Sequence, residues 1–179
     1  MKTASRLLAL LCLFGFAFSA LAEEKVVWCP KDGIGKSQMW KTKATADVAD
    51  NVLKIKLTDA EWSGVGLNWE GYWPEDAGVK AADYKFFEIE LKVEGNADNL
   101  QLAIKDNKHK PSTNVTVKKY CPDGKLPADF VTIKIPVSDL MAEKCEFVSG
   151  IAWEVMLHMW TQDAKDVTIS VRKVAFSKD

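Results

Sequence analysis

The chain has 179 residues with 24 basic and 25 acidic side chains, a formal net charge of −1, and seven tryptophans. It holds no block of Lys and Arg, so the balance excludes a nucleic-acid footprint. The length suits one domain with a real core.

The first residues read as an export signal. Lys2 and Arg6 precede an apolar run from Leu7 to Phe18, and Ser19-Ala20-Leu21-Ala22 ends it with small residues before Glu23. That is the pattern of a cleaved signal peptide over 1–22, and the run is short for a membrane span. The expectation is a secreted, periplasmic or extracellular chain over 23–179, cleaved near Ala22, with no membrane span. Without Lys2 and Arg6 its net charge is about −3, and Arg172 is its only arginine. Three cysteines remain, Cys29, Cys121 and Cys145. Export favours a disulfide between two of them, and spacing does not say which. No CxxC is present, so no metal is expected there.

From there on the chain reads as strands. Residues 39–48 are polar and weakly alternating, a candidate edge strand. Residues 52–58 put Leu53, Ile55 and Leu57 on one side and Lys54, Lys56 and Thr58 on the other. The Asp50-Asn51 pair before them predicts a hairpin turn. Residues 63–69 alternate Val65, Leu67 and Trp69 with Gly64, Gly66 and Asn68. Residues 87–93 set Phe87, Ile89, Leu91 and Val93 against Glu88, Glu90 and Lys92, a core face and a solvent face. Residues 99–105, 114–119, 130–137, 151–160 and 167–176 complete the set. The last breaks its alternation at Arg172-Lys173, where a bulge would restore the inward face. One helical turn is expected near 138–143, capped by Ser138 or Asp139. Cys29-Pro30 and Cys121-Pro122 read as turns. Eight or more strands separated by Gly, Pro, Asn and Asp predict an all-β antiparallel sandwich.

Two stretches depart from the charged outward pattern. In Ile151–Trp160 one face is Ile151, Trp153, Val155, Leu157 and Met159, which reads as core. The other is Ala152, Glu154, Met156, His158 and Trp160, a mixture of apolar, aromatic and hydrogen-bonding groups that suits a ligand surface. In residues 61–73 three glycines sit beside Trp62, Trp69, Tyr72 and Trp73. Gly66, Asn68 and Glu70 share the outward face, and the glycines leave room for a ligand lying flat. Gln101, Ala103 and Lys105 continue that face on a neighbouring strand. Trp62, Tyr72, Trp73 and Trp160 are candidates to stack on a sugar ring. Asn68, Glu70, Gln101, Lys105, Glu154 and His158 are candidates to bind its hydroxyls. Trp69 and Trp153 fall on the core side by phase.

The order of these motifs resembles the β-jelly-roll carbohydrate-binding modules with a galactose-binding-like fold. The glycine-rich strand SGVGLNW (63–69), the segment VKAADYKFFEIELKVEG (79–95), the strand 100–106, the segment FVTIKIPVSDL (130–140) and the closing strands 151–160 and 167–176 carry the likeness. It implies a jelly roll that binds a glycan or polysaccharide without catalysis. Members of this kind can hold a structural calcium through Asp residues of the last strand. Here that stretch is Val171-Arg172-Lys173-Val174, so no cofactor is expected.

Two other readings stay open. One is a structural or protein-interaction domain of an envelope or extracellular assembly, since a sandwich does not fix function. The other is a glycoside-active enzyme using a carboxylate pair from Glu61, Glu70, Asp106 and Glu154, although no spacing singles out two. Asn114-Val115-Thr116 is a glycosylation sequon, meaningful only in a eukaryotic secretory pathway.

Overall fold

The computed structural model describes residues 23–35, 38–57, 60–69, 78–142, 145–161 and 166–179. The signal segment, and with it the cleavage near Ala22, lies outside these residues. So do Glu70, Tyr72 and Trp73.

Among the described residues, twelve strands run in chain order: β1 (Glu24–Trp28), β2 (Gln38–Thr42), β3 (Ala44–Ala49), β4 (Val52–Leu57), β5 (Ala60–Asn68), β6 (Val79–Lys80), β7 (Phe86–Glu94), β8 (Gln101–Asp106), β9 (Val115–Thr116), β10 (Val131–Pro136), β11 (Ile151–Thr161) and β12 (Val167–Ser177). They form two six-stranded antiparallel sheets. The first has the order β10-β7-β12-β4-β3, with β1 also paired to β12. Strand β4 covers residues 167–171 of β12 and β1 covers 174–177, so the two share one flank. The second sheet has the order β2-β5-β11-β8-β9, with β6 paired to the start of β11. The fold is an all-β sandwich.

Alternation explains most of the strands. Along β4, Leu53, Ile55 and Leu57 are buried while Lys54 and Lys56 are exposed. Inward residues of both sheets meet in one core that includes Trp28, Val65, Leu67, Phe87, Leu102, Ile133, Val155, Ile169 and Phe176. Phe176 packs edge-on to Phe87 and Trp69, at ring separations of 5.3 and 6.3 Å. Trp69 is therefore core, as its phase predicts. Asp50 and Asn51 both have positive φ, 53° and 61°, the backbone of a type I′ hairpin. The expected bulge is present, with the β12–β7 register shifting between Val171 and Lys173.

Several expectations need correction. Residues 39–48 are not one strand. Lys43 has φ 47°, and the break sends β2 to one sheet and β3 to the other, each at an edge. The helical turn is α1 (Val137–Leu140), so Ser138 and Asp139 lie within it and Pro136 precedes it. Residues 114–119 pair only at Val115 and Thr116 before a 3-10 turn begins. The expected disulfide is not formed, because Cys29, Cys121 and Cys145 are all free thiols. Burial alone raises the Cys121 thiol above its ordinary pKa. At Cys29, burial and then the hydrogen bond to Asp32 do the same. Among the described residues, no helix is long and apolar enough to cross a membrane.

Candidate functional site

The second sheet turns one face to the core and the other outward, and register decides what the outward face carries. Asn68, Glu154 and Lys105 lie abreast on β5, β11 and β8. Trp40, Gly66, Met156 and Ala103 form the next row across β2, β5, β11 and β8. Thr42, Gly64, His158, Gln101 and Thr116 form the third, which reaches β9. Beyond it, Trp62 and Trp160 meet edge to face at 6.3 Å. Sequence reasoning placed Trp62, Asn68, Gln101, Lys105, Glu154, His158 and Trp160 on one surface, and the sheet brings those seven together. Trp160 is 65% exposed, whereas Asn68, Glu154 and His158 are at most 3% exposed.

The aromatic centre of this face is Trp40, which sequence reasoning passed over. Its indole lies parallel to that of Trp62, 12° between planes and 5.7 Å between centroids. Its Nε1–H donates to Glu154 Oε1 at 2.8 Å. Lys105 Nζ lies 3.1 Å from the same oxygen and 4.7 Å from the Trp40 ring centre, a salt bridge joined to a cation–π contact. Gly66 serves this arrangement rather than an open shelf. A Cβ on Gly66 would fall 1.9 Å from Trp40 Nε1 and 2.6 Å from Glu154 Oε1. The room over Gly66 is thus filled by Trp40. A usable sequence signal existed, since Trp40 is a large aromatic in a stretch read as polar and as a candidate edge strand.

Trp153 is the second correction. The β11–β8 register shifts between Ala152 and Glu154, a bulge that carries two residues against one. Ala152 therefore belongs to the core cluster, and Trp153, though 1% exposed, does not. Trp153 instead meets His109 edge-on at 4.9 Å. Together with Met39, Trp40, Asn68, Lys105 and Glu154 these two line a cleft of about 280 Å³, near the small end of ligand pockets.

Asp106 anchors the loops beside that cleft. Its Oδ1 accepts the backbone N–H groups of Lys108 and Lys110, and its Oδ2 those of Val148 and Ser149. Burial pushes this carboxyl up, but the four N–H donors prevail and hold it below the ordinary Asp value. Both of its oxygens are thus engaged in structure. Among the described residues, no cluster of three or more His, Cys, Asp or Glu could hold a metal ion. The face offers indole surfaces and the partly exposed Lys105 and Gln101, a set suited to holding a neutral, hydroxyl-rich, partly apolar ligand.

Known structures share this architecture. The fold is that of carbohydrate-binding modules. A family 29 carbohydrate-binding module superposes with a TM-score of 0.55 at 9% identity, over 88% of this chain and 90% of that one. A variant of such a module in complex with mannohexaose gives 0.55 at 9% identity, over 88% and 93% of the two chains. Another variant, in complex with cellulohexaose, gives 0.53 at 9% identity, over 88% and 92%. No family model matches the sequence, and no curated protein does. The likeness is one of fold, reached with very few shared residues.

Proposed function

We propose that this protein is an exported, non-catalytic carbohydrate-binding module. It lays an oligosaccharide across the outward face of the β2-β5-β11-β8-β9 sheet. The observation that carries this reading is the gathering of Trp40, Trp62 and Trp160 with Lys105 and Glu154 on that one face. Flat indoles stack on the C–H faces of sugar rings, and the partly exposed Lys105 and Gln101 meet their hydroxyls. From Glu154 to Trp160 strand β11 spans about 20 Å at 3.3 Å per residue, room for several rings rather than one. Structural neighbours bound to mannohexaose and cellulohexaose support a glycan of that length.

Titration calorimetry with mannohexaose and cellulohexaose, backed by affinity gels containing soluble polysaccharides, tests the proposal. Trp160→Ala removes a largely exposed ring and should weaken binding roughly tenfold with an unchanged melting temperature. A folded protein that retards on no gel and binds neither hexasaccharide would sink it.

A further inference from the structure

His158 sits in the middle of the face but is 1% exposed, so a ligand lying on the sheet does not reach it directly. Its hydrogen bonds face its neighbours instead. Trp62 Nε1 lies 3.3 Å from His158 Nδ1. An indole N–H can only donate, so Nδ1 is a bare acceptor and the imidazole proton is on Nε2. That Nε2–H points to Asn114 Oδ1 at 3.2 Å. Asn114, on the β8–β9 connection, thereby fixes the tautomer that can receive Trp62. Burial first, and then the Lys105 charge, push the His158 pKa from 6.5 down to about 4, so the acceptor is bare at neutral pH. Gly64 makes the approach possible, since a Cβ there would fall 2.8 Å from His158 Cβ and 3.3 Å from Trp62 Cη2.

The geometry points to His158 as a positioning residue. Backed by Asn114, it braces the Trp62 indole in the orientation that stacks on Trp40 and meets Trp160, so that the aromatic face is preformed. Its effect on affinity rests on the glycan-binding reading; the brace itself does not. A preformed surface loses less side-chain freedom on binding, which is where the gain in affinity arises.

Two measurements decide it. In nitrogen–proton NMR spectra, His158→Phe should move the Trp62 indole N–H resonance, and the exposed-site variant Asn114→Ala should move it in the same direction by less. His158→Gln, which can both accept and donate, should restore it. In calorimetry with mannohexaose and cellulohexaose, His158→Phe should weaken binding roughly threefold to tenfold, and His158→Gln should recover most of the loss. In a Trp62→Ala background, His158→Phe should cost nothing further, because its effect runs through Trp62. An unmoved Trp62 resonance in both His158→Phe and Asn114→Ala overturns the brace. So do losses from Trp62→Ala and His158→Phe that simply multiply. Wild-type protein that binds neither hexasaccharide counts against the glycan reading alone, and the resonance then decides the brace by itself.

Discussion

Charged pairs on the outer faces of the two sheets sit in different surroundings. On the β10-β7-β12-β4-β3 sheet, Lys92 pairs with Glu94 and Arg172 with Glu90, all with side chains between 28% and 58% exposed. On the other sheet, Lys105 pairs with Glu154, whose side chain is 2% exposed beneath Trp40. The Lys92 and Arg172 pairs lie on solvated surface, where ion pairs contribute little; the exception on that sheet is Glu88, 5% exposed and 2.9 Å from Lys134. The Lys105 pair takes a carboxylate out of water, which costs more than solubility would require and is offset only while its partners stay in place. Inward, both sheets follow the same alternation of Leu, Ile, Val and Phe. What sets one face apart as a candidate site is therefore not its packing but the gathering of buried polar groups, Asn68, Glu154 and His158, beside the indoles of Trp40, Trp62 and Trp160 on its outer side.

Removing the cation from the buried Lys105–Glu154 pair should have the largest effect. Lys105→Met leaves the Glu154 carboxylate with Trp40 Nε1 as its remaining donor among the contacts described above. A loss of about 3–5 kcal/mol is expected in urea unfolding. A loss no larger than that for a surface lysine would mean the exposed and the buried pairs do not differ in the way burial says.

A pH series gives a second, somewhat smaller effect. The folded His158 titrates at about 4, well under the ordinary 6.5, with burial the main cause and Lys105 the second. Between these values the unfolded chain takes up a proton that the folded chain refuses. Stability should thus fall as pH drops from 6.5 to 4, by about 3 kcal/mol at most from this group. His158→Gln should flatten that limb. Asp106 adds its own loss only at lower pH, since its carboxyl is held below the ordinary Asp value. A His158→Gln protein with the same slope between pH 6.5 and 4.5 would assign the effect elsewhere.

Much of this was readable from residue order. Leu53, Ile55 and Leu57 alternate cleanly because β4 has one face in the core and one in water; Phe87, Ile89 and Leu91 follow the same phase on β7, although Glu88, read as solvent-facing, is buried against Lys134 and Ser177. The outward set from Asn68 to Trp160 was readable for the same reason. Trp153 was not, because a bulge inserts one residue and shifts the phase without any residue type that announces it. Trp40 was hidden differently. Lys43 adopts a left-handed backbone that no side-chain pattern marks, so β2 and β3 read as one polar strand and the single indole was lost in it. Asn114 read only as part of a sequon, since its partner His158 is 44 residues away. Contacts of that range are set by sheet order, which local periodicity does not carry.

The smallest expected effect sharpens the contrast from the other side. Lys92 Nζ lies 3.4 Å from Glu94 Oε2 and 5.8 Å from the Phe130 ring centre, which resembles the Lys105 geometry of one carboxylate and one aromatic ring. Distance alone would rank the two lysines as similar. Exposure separates them: the Glu94 side chain is 58% exposed, so water screens the pair and hydrates either charge left alone. Lys92→Met should therefore change stability by no more than about 0.5 kcal/mol and leave hexasaccharide binding unaltered. A cost near that of Lys105→Met would show that cation–ring geometry, rather than desolvation of the carboxylate, sets the value of such a contact in this sandwich.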